Sequence, residues 1–170
     1  EEYDFSAAGE ALYDFTWHEL ADWYLEIAKL EGGKDKMLSY LVTQLLKLWH
    51  PFTPFVTETL WQETFGAAAG SLMVARWPKQ LPEYSESAEK DFKLVQDVVT
   101  ALRTYRTENQ LEPTQVLRVA LKQPNAILEQ SQNLIEGLRT KAKFTRDNLE
   151  ALDGKELDIA GVKFVIGIDK

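Results

Sequence analysis

The stretch KMLSYLVTQLLKLWHPFTPFVTETLW, residues 36–61, limits what this chain can fold into more than any other. As a helix over 36–50 it sets Leu38, Leu41, Val42, Leu45, Leu46, Leu48 and Trp49 on one broad arc at i, i+3, i+4, i+7 spacing, the pattern of a helix that packs one face on a core. That arc is expected to be buried. Lys36, Tyr40, Thr43, Lys47 and His50 fall opposite it, because steps of seven or eleven residues are close to whole numbers of turns. One face packs, and the other offers cations beside an aromatic. Pro51 then stops the helix, and Thr53 with Pro54 restarts one, as an N-cap followed by a proline whose missing N–H costs nothing in the first turn. The second helix runs to about Thr64, with Phe65 and Gly66 closing it.

Upstream, Ser6 or Asp4 caps a long helix reaching about Glu31, with Tyr13, Trp17, Leu20, Trp23, Tyr24 and Ile27 as its apolar arc. Those aromatics could form a base-stacking platform, but at helical spacing we read them as core. Glu31-Gly32-Gly33-Lys34-Asp35 is a short turn that favours antiparallel packing. Downstream, Leu72 to Pro78 is expected to cross in extended form before Pro78 and Pro82 break it. Ser85 or Ser87 caps another long helix to about Asn109, with Phe92, Val95, Val98, Val99, Leu102 and Tyr105 inward and Lys93, Arg103 and Arg106 left for solvent or for phosphate.

Glu112-Pro113-Thr114 changes the period from 3.6 to 2. Leu117, Val119 and Leu121 alternate with Arg118, Ala120 and Lys122, the mark of a strand with one buried face. Pro124 and Asn125 open a helix with Ile127, Leu128, Ser131, Leu134, Ile135 and Leu138 inward, a strand is expected over 142–146, and 157–168 reads as a hairpin turning near Ala160-Gly161. The fold class expected is therefore mostly α: an antiparallel helical bundle over 1–110, then a small α+β subdomain over 111–170.

Several chemistries are excluded by what the chain lacks. There are no cysteines and only two histidines, so disulfides, redox chemistry and a cysteine zinc site are out, and a histidine-built metal site is not expected. The net charge is −8, from 27 acidic against 19 basic residues. Any nucleic-acid contact must then be local rather than a general basic surface. No run approaches the 18 or so apolar residues of a membrane span, and the acidic N-terminus has no signal-peptide pattern; a cytoplasmic protein is expected. No glycine-rich phosphate loop or nucleophilic triad occurs. A chain beginning at Glu1 is expected to be part of something longer.

His50-Pro51-Phe52-Thr53-Pro54-Phe55 followed by Thr57-Glu58-Thr59-Leu60-Trp61, with Asp22-Trp23-Tyr24-Leu25-Glu26 before it and 101–108 (ALRTYRTE) after it, resembles the anticodon-binding domain of class I aminoacyl-tRNA synthetases, most closely the valyl branch. The resemblance covers nearly the whole chain. It implies that tRNA, through the anticodon loop of valine tRNA, is the partner, together with an upstream catalytic domain of the same chain in a monomeric enzyme. It implies Lys36 and Lys47 as tRNA contacts, Phe55 as a stacking residue unless it is core, Tyr40 and His50 beside them on the same helix face, and Leu121 and Lys122 as contacts from the appended subdomain. The HIGH and KMSKS signatures of class I catalysis are absent, and Lys36-Met37-Leu38-Ser39 matches the second only by coincidence. No catalytic residue and no cofactor is therefore expected in this chain, ATP and Mg²⁺ belonging to the parent enzyme. Two alternatives stay open: the same domain from a leucyl or isoleucyl enzyme, and an acidic helical module that binds a protein partner instead of RNA.

Overall fold

The computed structural model describes residues 4–79, 85–145 and 154–168. The chain forms two compact units, Glu1–Pro82 and Glu83–Lys170.

Among its described residues the first unit contains helices and no strand. α1 (Phe5–Asp14) is capped by Asp4, whose Oδ1 accepts from the Ala7 N–H at 3.0 Å. It continues into a π-helical stretch, Phe15–Tyr24, and then into α2 (Leu25–Glu31). A π-helix bonds i to i+5 and turns more slowly than an α-helix, so residues before and after Phe15 no longer share the stripe that a 3.6 period assigns them. The aromatic arc expected to be core is accordingly split. Leu20 and Ile27 are buried, but Tyr13 and Trp17 are 53% and 58% exposed and stack on each other with centroids 6.3 Å apart.

After Gly33 comes α3 (Asp35–Trp49), then the turn at Pro51, then α4 (Pro54–Phe65) with proline in its first turn. Gly66, at φ +73, closes α4 in a conformation that a side chain resists. Thr53 holds the N-cap position without capping: its hydroxyl donates backward to the Trp49 carbonyl at 3.3 Å. The leucine arc of α3 is covered less than expected. Leu45 and Leu46 are buried while Val42 remains exposed, because α4 turns back only on the C-terminal part of the helix. There Leu46, Trp61 and Leu72 form a small core, with Phe65 and Ala75 against it. Leu72 reaches it from a single 3₁₀ turn, Leu72–Val74, not from the extended crossing expected; Ser71 caps that turn through the Met73 N–H. Trp49 ties α3 to the first helix by donating its Nε1–H to Thr16 Oγ1 at 3.0 Å.

The second unit joins one helix to one sheet. α5 (Glu86–Glu108) is capped by Ser85 and buries Val98, Val99 and Leu102 completely. β1 (Leu117–Leu121) leads to α6 (Ala126–Gln130), capped by Asn125, to α7 (Gln132–Ile135), and to a π turn, Glu136–Thr140. β2 (Ala142–Phe144), β3 (Lys155–Ile159) and β4 (Val162–Ile168) complete a sheet of order β2-β1-β4-β3. The expected strand end at Arg146 lies outside the described residues. β1 runs parallel to β2 and antiparallel to β4, with Val119 opposite Phe144 on one side and Ile166 on the other. Being interior, β1 is covered on both faces toward its end: Ala120 is buried and Leu121 half-buried, where simple alternation has them reversed. The β3–β4 hairpin turns at Ala160 and Gly161, both at positive φ, as a two-residue turn matching strand twist requires.

Candidate nucleic-acid interface

The polar face of α3 is divided along its length. Lys36, in the first turn, is exposed, and Tyr40, one turn on, is 38% exposed. Lys47 lies roughly 16 Å from Lys36 along the axis at a rise of about 1.5 Å per residue, where α4 covers this side of the helix. It is half-buried, with its ammonium 5.9 Å from the centre of the Trp61 ring. A cation over an indole face is attracted electrostatically by the ring quadrupole.

His50 does not face solvent with the lysines, as its helix position suggests. Its Nδ1 is 2.8 Å from Thr57 Oγ1, and Thr57 in turn donates to the Thr53 carbonyl at 2.8 Å. The Thr57 hydroxyl thus spends its proton on the backbone, so His50 donates Nδ1–H to it. His50 Nε2 is buried and has no partner among the described residues. The ring braces the α3–α4 turn from inside, because helix ends brought together by a four-residue link, 50–53, place their last and first turns in contact. Phe52, in the same link, sits edge-on to Trp49 and against Gly9 of α1.

Phe55 is 90% exposed at the start of α4. Of its two readings, stacking residue or core, the core one is overturned: the Thr53-Pro54 restart turns this side chain away from the small Leu46–Trp61–Leu72 core. Below it a shallow groove of about 560 Å³ runs along α4 past Glu58, Thr59, Gln62 and Glu63. Glu58 is fixed there by three donors, Gln62 Nε2 at 2.8 Å, Ser71 Oγ at 3.0 Å and the Leu72 N–H at 3.0 Å. These bonds, that from Gln62 foremost, hold its carboxyl below the ordinary glutamate range.

In the second unit, Leu121 is half-buried opposite Phe164, and Lys122 is ion-paired with Glu156 across the sheet. Lys93 pairs with Asp97 at 3.2 Å on the exposed side of α5. Arg103 and Arg106, expected to point at solvent, instead bond main-chain carbonyls: Arg103 donates to Leu138, and Arg106 to Gln115 and Glu112. Helix periodicity gives their direction but not what the chain brings against it, Leu138 from 35 residues away and Gln115 and Glu112 from the loop that follows the helix. Sequence reasoning also missed Trp77, 61% exposed, and the exposed Tyr13–Trp17 pair; no local signal separates such residues from core aromatics. Among the described residues no group of three or more histidine, aspartate or glutamate side chains could hold a metal, and no helix is long and apolar enough to cross a membrane.

Residues 1–121 match the family described as the anticodon-binding domain of tRNA ligase. The chain is also similar to valine–tRNA ligases. It is 36% identical to that of Geobacillus kaustophilus over 132 residues, covering 72% of this chain and 15% of the relative. With that of Legionella pneumophila strain Lens the identity is 32% over 171 residues, 91% of this chain and 19% of the relative. Against that of Anoxybacillus flavithermus it is 39% over 118 residues. The chain thus spans less than a fifth of the length of these relatives.

Proposed function

We propose that this chain, which belongs to the family of anticodon-binding domains of tRNA ligases, recognises the anticodon stem-loop of valine tRNA. The observation that carries the reading is Phe55, almost fully exposed at the start of α4 in the segment that holds the family's likeness. Single-stranded loops are read by splaying bases onto aromatic faces while cations hold the phosphates. Phe55 offers such a face without any rearrangement of the core. Lys36 and Lys47 supply charge along α3, with Tyr40 between them, and both are point charges suited to phosphate rather than to reading base edges. His50 acts through Thr57, setting the angle between α3 and α4, rather than by touching RNA. Leu121 and Lys122 are contacts of the second unit by itself, Lys122 by exchanging Glu156 for a phosphate.

Residues 1–110 are then the recognition domain and 111–170 its appendage. The parent is a monomeric, cytoplasmic valine–tRNA ligase in which ATP and Mg²⁺ serve an upstream catalytic domain. The valine relatives favour this over a leucyl or isoleucyl parent, and the family favours RNA over a protein-binding module.

The test is a titration of a valine tRNA transcript at several salt concentrations, comparing Lys36→Ala/Lys47→Ala with Lys90→Ala, which removes a surface cation paired with Glu86. The double variant should bind more weakly and lower the slope of log affinity against log salt by about one unit per lost phosphate contact. Equal affinity and slope in the two variants would remove α3 from the interface.

A further inference from the structure

Phe55, Thr59, Gln62 and Glu63 recur at i, i+4, i+7 and i+8, so they share one side of α4, and with Glu58 they line the groove of about 560 Å³. That volume falls within the range of small-ligand pockets, about 300–1,000 Å³, and is ample for a nucleobase. Thr59 stands about 6 Å and Glu63 about 12 Å beyond Phe55 along the axis at a rise of about 1.5 Å per residue. Side chains of a helix lean toward its N-terminus, which brings both back toward the exposed phenyl ring.

The hydrogen bonds already made decide what this groove still offers. Thr59 donates its hydroxyl proton to the Phe55 carbonyl at 2.9 Å. Gln62 commits both amide protons, to Glu58 at 2.8 Å and to the Gly70 carbonyl at 2.9 Å. Glu58 is taken up by Gln62, Ser71 and the Leu72 N–H. Glu63 is exposed and makes no hydrogen bond or ion pair among the described residues. What remains free is of one kind: the Thr59 oxygen, the Gln62 carbonyl oxygen and the Glu63 carboxylate all accept. No lysine or arginine lines the groove.

A lining of acceptors beside an aromatic face repels phosphate and gives a base carbonyl nothing to bond. It suits a base edge that carries N–H groups. Adenine, cytosine and guanine each have an exocyclic amino group, whereas uracil has one ring N–H set between two carbonyls. We propose that the α4 groove selects among loop bases, taking one that bears an exocyclic amino group and turning uracil away, with Glu63 as the deciding acceptor. This deepens the RNA reading above and rests on it. A carboxylate accepts well from the cytosine amino group, while a uracil carbonyl laid against Glu63 leaves both groups without a partner. Since Glu63 is exposed rather than enclosed, water softens the penalty, and the selection is modest.

The test measures the affinity of the full 170-residue chain for two variants of a valine tRNA transcript, their anticodon loops all cytidine in one and all uridine in the other. The two pyrimidines have the same ring, so stacking on Phe55 and phosphate contacts at one salt concentration nearly cancel in the ratio. The cytidine loop should bind about tenfold more tightly. Glu63→Gln, which adds a donor and removes the charge, should bring the two affinities together, and Glu63→Lys should turn the preference toward uridine, with the unfolding midpoint unchanged in both. A cytidine preference that survives both substitutions would overturn the site. Equal affinity for the two loops in the unsubstituted chain, with the unaltered transcript still bound, would overturn the proposal and leave the RNA reading standing. No binding of the unaltered transcript would overturn the RNA reading and base selection with it, leaving these acceptors to a cationic side chain of a protein partner.

Discussion

The two units bury their apolar residues to different degrees. The largest fully buried side chains, among them Leu102, Leu117, Ile135, Phe164 and Ile166, all belong to the second unit. In the first, even the best covered apolar residue, Leu72, keeps 3% exposure. Conversely, among the described residues all the large exposed apolar side chains except Ile168 lie in the first unit, from Phe5 to Trp77. The contrast follows from construction. A sheet whose interior strand is hydrogen-bonded on both sides, with α5, α6 and α7 packed in the same unit, closes a core by itself, whereas helices joined by short turns share only narrow stripes. Apolar surface left open at this density is what interaction sites are made of. Among the described residues, tight packing is thus concentrated in the second unit and open apolar surface in the first.

The sharpest way to break this contrast is to empty each core in turn. Phe164→Ala should cost about 3–5 kcal/mol in chemical denaturation, as for a fully enclosed aromatic. Leu46→Ala should fall near the lower end of the leucine range, about 2 kcal/mol, since its site is already open to collapse. Equal losses would show the first unit to be as well packed as the second.

A smaller effect is expected at Phe55, where the two properties separate. Phe55→Ala should leave stability within about 0.5 kcal/mol, as at exposed positions generally. It should weaken binding of a valine tRNA transcript by about 1–3 kcal/mol, the worth of one stacked base. A stability loss with unchanged binding would return Phe55 to packing.

The smallest effect concerns acid. Glu58 is bonded as a carboxylate, so its folded pKa lies below its unfolded one. Its contribution is fully present above the unfolded value and is lost as pH falls through the depressed folded value. The first unit should therefore weaken in that acidic window, followed by tryptophan fluorescence, and Glu58→Gln should flatten the dependence. An unaltered acid profile in Glu58→Gln would take this carboxylate out of the contrast.

Local chemistry was legible where it acts over a few residues. The Asp4, Ser85 and Asn125 caps, the Pro51 stop, the Pro54 restart and the Ala160-Gly161 turn all follow from neighbouring residues. The exposure of Lys36 followed from helix phase in the same way. What failed depended on a different period or on distant chain. The π-helical Phe15–Tyr24 rotated Tyr13 and Trp17 out of their assigned stripe. His50 turned inward because Thr57, on the next helix, accepts from it. Arg103 bonds the Leu138 carbonyl, which arrives only with the connection from β1 to β2, and no spacing in the sequence announces that.

The sheet ends in two very different margins. β2 offers three residues on one side, and on the other β3 presents Lys155, Glu156 and Asp158 along its exposed length. A strand that short gives an incoming chain little to align with, and a charged one penalises a copy laid beside it. The best packed part of the molecule is thereby also poorly suited to template its own aggregation.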